Sequence, residues 1–301
     1  MASRRFFFGL SALAVALMVL AFVFAGVRFD TGAKDPAAPS SQERKRQALA
    51  EKSSRISDAA KRLATNSPNS NVFARISTTA AHYATSLGGV WRPWPKGAPS
   101  GRTNPPVSIS APDSTDAAGL SRMLGELSNE AASAANSAPA EQRRTYLAVA
   151  LDSRLKAIDV AARAGGRASC GKPDPVAAGK ASATQDALMG AEAARQWLET
   201  SAASLPGHKR SAEIARLDSI KAMQSAMISS GAKDERSAAI PPPALGKGET
   251  LTNAALTKAS DSLLRGASTA GKPDGEATVS YACSLYLTPK EREGAEALLR
   301  G

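Results

Sequence analysis

Side chains suited to thiol, acid–base or metal chemistry are few in this sequence of 301 residues, which contains two cysteines and two histidines. They are His82, Cys170, His208 and Cys283. A zinc site needs three or four such ligands, usually closely spaced, whereas these four are dispersed along the chain. A di-iron site in a helical bundle needs Glu-x-x-His pairs, and neither histidine has a glutamate three residues before it. We therefore expect no metal site.

Motifs for nucleophilic and phosphate chemistry are also missing from the sequence. It has no G-x-S-x-G nucleophile elbow and no G-x-x-x-x-G-K-[ST] phosphate loop. The segment Leu245–Thr250 resembles the second pattern only faintly, because it lacks the leading glycine and follows three prolines rather than a strand. We expect a protein that is not an enzyme and has no cofactor.

The two cysteines favour a structural role. In an exported protein Cys170 and Cys283 would form one disulfide. The alternative is two free thiols, which would allow a thiol or redox enzyme of the cell envelope. A catalytic cysteine would want a histidine partner, and neither His82 nor His208 stands in a recognisable family signature.

Tryptophan and proline mark one candidate binding loop. Trp91, Arg92 and Trp94 follow Gly88-Gly89, a pair typical of a helix end. Proline-rich sequence then extends to about residue 113, so residues 90–113 are predicted to form a linker. The tryptophans could bind a sugar, a peptide or the membrane interface. We favour the alternative, in which they cover the open end of a pair of helices.

The N-terminus predicts a membrane segment. Phe6–Val27 has no charged residue, and as a helix it would measure roughly 33 Å, enough to cross a bilayer. Arg4 and Arg5 favour a cytoplasmic N-terminus with the bulk of the chain extracytoplasmic. We expect an anchor over residues 1–29 and a flexible tether over 30–42. The alternative is a signal that is cleaved before secretion, because Ser3–Phe8 resembles a twin-arginine export signal.

The formal net charge is +11, from 38 basic and 27 acidic residues. Such an excess favours anionic partners, for example lipid headgroups or an anionic envelope polymer. The alternative, which we favour, is that the basic residues form a solvated surface without such a partner. The export signal and the lack of basic runs interleaved with aromatic residues argue against nucleic acid.

The remaining sequence predicts an all-α fold rich in alanine. Residues 43–89 read as a helical hairpin, and the stripe Phe73, Ile76, Tyr83 and Leu87 is typical of a seam that faces a partner helix. Residues 114–301 predict a larger bundle. Its helical segments are 116–135, 139–164, 180–205, 208–229, 249–266 and 289–299. The alternating residues of 277–287 allow helix or strand, and we favour helix.

Three functional hypotheses follow. The first is a non-catalytic, membrane-anchored scaffold or accessory protein of the bacterial cell envelope, which binds an envelope or membrane protein through helix faces and the Trp loop. The second is a cationic module that binds an anionic polymer or lipid headgroup. The third is an envelope thiol enzyme. The sequence does not determine the oligomeric state.

Overall fold

The computed structural model describes residues 39–66, 69–90, 92–94, 98, 101–104 and 115–299. Regular structure in this part of the chain is entirely helical, as the sequence predicts, and no strand occurs there. The expected membrane segment Phe6–Val27, most of the tether and Trp91 lie outside the described residues. Within those residues, no helix combines the length and the apolar character needed to cross a bilayer.

Ten α-helices and a final 3₁₀ helix succeed one another in the described ranges. They are α1 (Ser41–Asn66), α2 (Ser70–Ser86), α3 (Ala117–Ala135), α4 (Ala140–Arg163), α5 (Pro175–Ala181), α6 (Gln185–Ala203), α7 (Gly207–Ser229), α8 (Leu251–Thr269), α9 (Gly275–Ser284), α10 (Pro289–Gly294) and the 3₁₀ helix Ala295–Leu299.

Capping residues determine where several helices begin. Thr288 and Glu291 form a capping box at α10, because each side chain accepts a hydrogen bond from the backbone N–H of the other. Thr184 caps α6, so the single helix predicted over 180–205 is wrong in its first turn. The short helix α5 was not predicted. Its cap is Asp174, whose carboxylate accepts two backbone N–H groups at 2.8 and 3.0 Å.

The ambiguous segment 277–287 is helical as far as Ser284. Helix α9 packs against α3, α4, α5 and α8, and consecutive residues from Thr278 to Cys283 are buried. A helix enclosed by several neighbours has no polar face, so its sequence loses the 3.6-residue period that identifies amphipathic helices. This explains why the alternation looked like a strand.

The seam of the hairpin is covered by helices of the same chain. Phe73, Ile76, Tyr83 and Leu87 are all buried, and α2 contacts α1 and α4. The expectation that this stripe could receive a helix of another protein is therefore corrected. The two helices of the hairpin do not cover each other's apolar surface completely. They therefore also pack on the bundle, α1 against α3 and α2 against α4.

The hairpin and the bundle belong to one compact unit, whose described residues are 39–66, 69–90 and 115–299. One hydrophobic core runs through both, from Leu49 to Leu298. The expected division of the helices at residues 90–113 is therefore not seen in the packing. The described residues Arg92–Trp94, 98 and 101–104 belong to a second unit.

A buried polar cluster links α2 to α4. The Tyr83 hydroxyl donates to Asp152, and the Lys156 ammonium donates to both oxygens of the same carboxylate at 2.8 and 3.0 Å. Asp152 is fully buried. Because a buried carboxylate is unfavourable unless it is paired and hydrogen-bonded, the cluster specifies how α2 sits on α4.

Glycine allows the closest approaches between helices. A Cβ added to Gly275 of α9 would lie 2.1 Å from the Ala132 carbonyl oxygen of α3, and one added to Gly179 of α5 would lie 2.4 Å from the Met223 carbonyl oxygen of α7. Both contacts are with backbone, which cannot move aside as a flexible side chain does. Alanine at either position would push the helices apart.

Candidate binding cleft

A cleft of about 610 Å³ opens between α3, the C-terminal half of α4 and the loop after α4. Its volume lies in the range typical of small-molecule sites. Small side chains dominate the walls, and charged groups lie at the base and the rim. The lining residues are Ala118, Ser121, Arg122, Gly125, Glu126, Asn129, Arg154, Ala157, Ala161, Ala164, Gly166, Arg167, Ala168, Ser169, Gly171 and Glu276.

Arg154 of α4 forms the base of the cleft, and its side chain is only 6% exposed. Its Nε donates to Ser128 Oγ at 2.9 Å, and one terminal nitrogen donates to Asn129 Oδ1 at 2.8 Å. The other terminal nitrogen donates to the Cys170 carbonyl at 3.2 Å. The guanidinium is therefore held by α3 and by the loop after α4.

Glu276 in the first turn of α9 completes the environment of Arg154. Its two carboxylate oxygens each accept a hydrogen bond from a different guanidinium nitrogen at 2.8 Å, a bidentate geometry. The Ser280 hydroxyl donates to the same carboxylate at 2.7 Å. Partial burial opposes ionisation of Glu276, but the hydrogen bonds from Arg154 and Ser280 outweigh it and lower the pKa of the carboxyl.

The loop that forms one wall is attached to α9 beside this cluster. Cys170 and Cys283 lie at disulfide distance, with 5.5 Å between their Cα atoms, as the sequence leads one to expect. The bond closes a sequence separation of 113 residues, for which the chain-entropy description gives about 5 kcal/mol. Gly171 follows with φ +86°, a conformation that favours glycine. The disulfide and Arg154 together position the loop.

Two arginines on the rim carry charges that other groups of the described chain do not neutralise. Arg122 and Arg167 are exposed, and neither has an ion-pair partner among the described residues. The acidic residues of the cleft are already paired: Glu276 with Arg154, and Glu126 with Lys52 at 3.3 Å. The cleft therefore presents a net positive field to a ligand.

The loop wall also borders a second cavity. A volume of about 400 Å³ lies against Ile158 and Ala162 and shares Gly166, Arg167, Ala168 and Ser169 with the cleft. Arg167 thus reaches both cavities. The walls of alanine on both sides can contact a small apolar group, and the arginines can hold an anion.

The described residues contain no group of three or more His, Cys, Asp or Glu arranged to hold a metal ion. His82 is exposed on α2, and its ring lies 3.4 Å from the Ser86 hydroxyl. His208 stands in the first turn of α7. His82 is not among the residues that line the cleft.

The candidate Trp loop is only partly described. Trp91 lies outside the described residues, and Arg92 is exposed. The Asn104 side chain accepts from the Trp94 N–H at 3.0 Å and donates to the Trp94 carbonyl at 2.9 Å. The Arg102 guanidinium lies 5.7 Å from the centre of the Trp94 ring. These contacts order Trp94 within its own unit.

Sequence reasoning missed the cleft. Arg154 and Ser280 are buried polar residues inside helices, and no motif or spacing identifies them. The one available signal was a repeated tetrapeptide, Gly-Lys-Pro-Asp, at 171–174 and 271–274. In both copies the aspartate caps a helix, α5 or α9, and the cleft lies beside these two starts.

Comparison of the chain with protein-family models, with curated proteins and with solved structures found no match.

Proposed function

We propose that this protein is a non-catalytic binding module that takes an anionic ligand, bearing phosphate or carboxylate, into the cleft between α3 and α4. The observation that carries the proposal is the pair Arg122 and Arg167, which stand on the rim without ion-pair partners among the described residues. Charge-assisted hydrogen bonds from arginine to oxyanions are among the strongest polar contacts in proteins. The excess of basic residues in the whole chain would attract such a ligand at long range.

The proposed location is the outer face of a bacterial membrane. The support is the uncharged segment Phe6–Val27 preceded by Arg4 and Arg5, together with a cysteine pair suited to an oxidising compartment. A reporter fused after residue 301 tests this placement: an enzyme that is active only outside the cytoplasm should be active there. A cytoplasmic reporter signal would refute it.

The scaffold hypothesis is less favoured by the geometry. It relied on the seam of α2, and Phe73, Ile76, Tyr83 and Leu87 are covered by helices of the same chain. The thiol-enzyme hypothesis is also less favoured, because the described residues contain no free cysteine.

The binding proposal is tested with glycerol phosphate as the probe, by isothermal titration of the full chain. We expect binding that weakens as the salt concentration rises from 20 to 300 mM, because the rim contacts are exposed. The double variant R122Q/R167Q should weaken binding by on the order of tenfold or more.

The matched control is K45Q/K247Q, which removes the same charge from two exposed lysines that do not line the cleft. We expect it to change the affinity about twofold at most, because only the long-range field is altered. Equal weakening by the two double variants would show that net charge, not the cleft, is responsible, and would refute the proposed site.

A further inference from the structure

Glu276 and its partner Arg154 differ sharply in exposure. The Glu276 side chain is 55% exposed, whereas that of Arg154 is 6% exposed. The carboxylate thus reaches the guanidinium from the solvent side of the cleft. Moving it away would return a hydrated group to water and leave the buried guanidinium in place.

The donors around this carboxylate have few other partners. Arg154 has five N–H groups, of which Ser128, Asn129 and the Cys170 carbonyl can accept three. Of the two that remain, one donates to Glu276 Oε2, and the other belongs to the terminal nitrogen that faces Cys170, which lies 2.8 Å from Glu276 Oε1 and 2.9 Å from Ser280 Oγ. The Ser280 hydroxyl is the third donor to the same carboxylate.

Three donors at the base of the cleft therefore converge on one oxyanion, and that oxyanion belongs to the chain itself. We propose that Glu276 occupies the oxyanion subsite of the cleft and that the phosphate or carboxylate of the ligand displaces it, binding Arg154 and Ser280 in its place. This inference rests on the proposed function, and it makes Glu276 the residue that limits affinity and selects for groups able to accept a bidentate arginine contact.

Two features favour such an exchange. First, the buried guanidinium remains paired with an anion before and after displacement, so no uncompensated charge is left in the base of the cleft. Second, Gly171 keeps side-chain atoms away from the place that the Glu276 carboxylate occupies, because a Cβ at Gly171 would lie 2.8 Å from Ser280 Oγ and 3.3 Å from Glu276 Oε1. A larger residue at Gly171 would occupy that space.

The test compares E276A with E126A in the full chain, again with glycerol phosphate. Both variants remove one negative charge from the lining of the same cleft, but only E276A empties the subsite. We expect E276A to bind the probe on the order of tenfold more tightly than the unmodified protein, and E126A to bind it about twofold more tightly at most. Equal effects of the two variants would overturn the inference.

A ligand-dependent melting measurement separates displacement from a structural role. Without Glu276 the buried Arg154 is unpaired, so E276A should melt at a lower temperature than the unmodified protein. Glycerol phosphate should raise the melting temperature of E276A more than that of E126A, because it replaces the missing carboxylate. An equal rise in the two variants would count against displacement.

If E276A does not fold, E276Q and E126Q take its place. The amide of E276Q retains an acceptor oxygen but loses the charge, so we expect several-fold tighter binding than in E126Q. No difference between them would overturn the inference.

Additional arms separate the possible outcomes and ligand sources. If the unmodified protein binds the probe through Arg122 and Arg167 but E276A gives no gain, the displacement is wrong and the proposed function stands. If neither protein binds, both proposals fail. Vesicles of phosphatidylglycerol, compared with vesicles of phosphatidylcholine, show whether a lipid headgroup reaches the subsite. If E276A binds the phosphatidylglycerol vesicles more strongly than the unmodified protein does, the ligand is a lipid headgroup. If E276A gains affinity only for soluble glycerol phosphate, the ligand is a free molecule.

Discussion

The carboxylate of Glu192 in α6 is the strongest candidate for a measurable electrostatic contribution to stability. Arg195 donates to its two oxygens at 2.9 and 2.5 Å, and Gln196 donates at 2.8 Å. Gln224 of α7 donates at 3.0 Å. The Glu192 side chain is 6% exposed. The carboxylate therefore joins α6 to α7 through charge-assisted hydrogen bonds in a mostly dry environment.

These contacts lower the pKa of Glu192 from its ordinary value of 4.5 to about 2, the hydrogen bond from Arg195 being the largest cause. A lowered pKa means that the folded chain stabilises the ionised carboxylate more than the unfolded chain does. At 1.36 kcal/mol for each pH unit, the difference corresponds to about 3 kcal/mol of folding free energy. This contribution is complete above pH 4.5 and is lost as the pH falls towards 2.

The perturbation is E192Q, which retains the shape of the side chain but never ionises. We expect the free energy of unfolding to fall by about 3 kcal/mol at pH 7, and the difference from the unmodified protein to shrink as the pH approaches 2. Urea unfolding, followed by circular dichroism at several pH values, measures it, because urea leaves the ionic strength unchanged. The m-value should stay constant.

The matched control is E199Q, which removes the other carboxylate paired with Arg195. The Glu199 side chain is 42% exposed, so we expect a loss of about 0.5 kcal/mol or less at pH 7. A deficit in E192Q that is the same at pH 7 and pH 2.5 would refute the reasoning, because it would come from packing rather than from charge.

Further predictions concern packing and the disulfide. Gly275→Ala should lower the free energy of unfolding by about 2 kcal/mol or more, because its Cβ meets the Ala132 backbone. Gly125→Ala, at a position of α3 where an added Cβ meets no other atom, should leave the free energy of unfolding unchanged or raise it by up to about 1 kcal/mol. Thermal melts of the two glycine variants compare their stabilities, and equal effects would contradict the prediction. Replacing Cys170 and Cys283 together by serine should lower the free energy of unfolding by about 2–5 kcal/mol, as calorimetry can measure. The same change should weaken glycerol phosphate binding, because the loop wall loses its attachment to α9. Unchanged affinity in a titration would show that Arg154 alone holds the loop.

Local sequence signals predicted the helices well because they act through near neighbours. Gly88 and Gly89 end α2 with φ of +84° and +72°, as expected for a glycine pair at a helix end. Thr288 begins α10 through its capping box. Such signals depend on backbone hydrogen bonds within four residues, so they can be read without knowing the fold.

The candidate site could not be predicted in the same way. The spacing of the apolar residues of α2 indicated correctly that Phe73 and Tyr83 face another helix. That spacing does not show which helix covers them. The Trp loop stood out by residue type, whereas the cleft is built from alanines and arginines, which are common throughout the chain.

The sequence by itself determined the helical class, most of the helix ends and the cysteine pair available for a disulfide, because these follow from short-range periodicity, caps and residue counts. Only the tertiary structure decided that Arg154 and Glu276, far apart in the chain, meet at the base of a cleft. It also decided that Arg122 and Arg167 stand beside this cleft without an ion-pair partner among the described residues, and that the hairpin shares its core with the bundle. The physical reason is that contacts between distant residues depend on which helix faces pack together, and packing follows shape and close approach, as at Gly275 and Gly179, which no local pattern encodes.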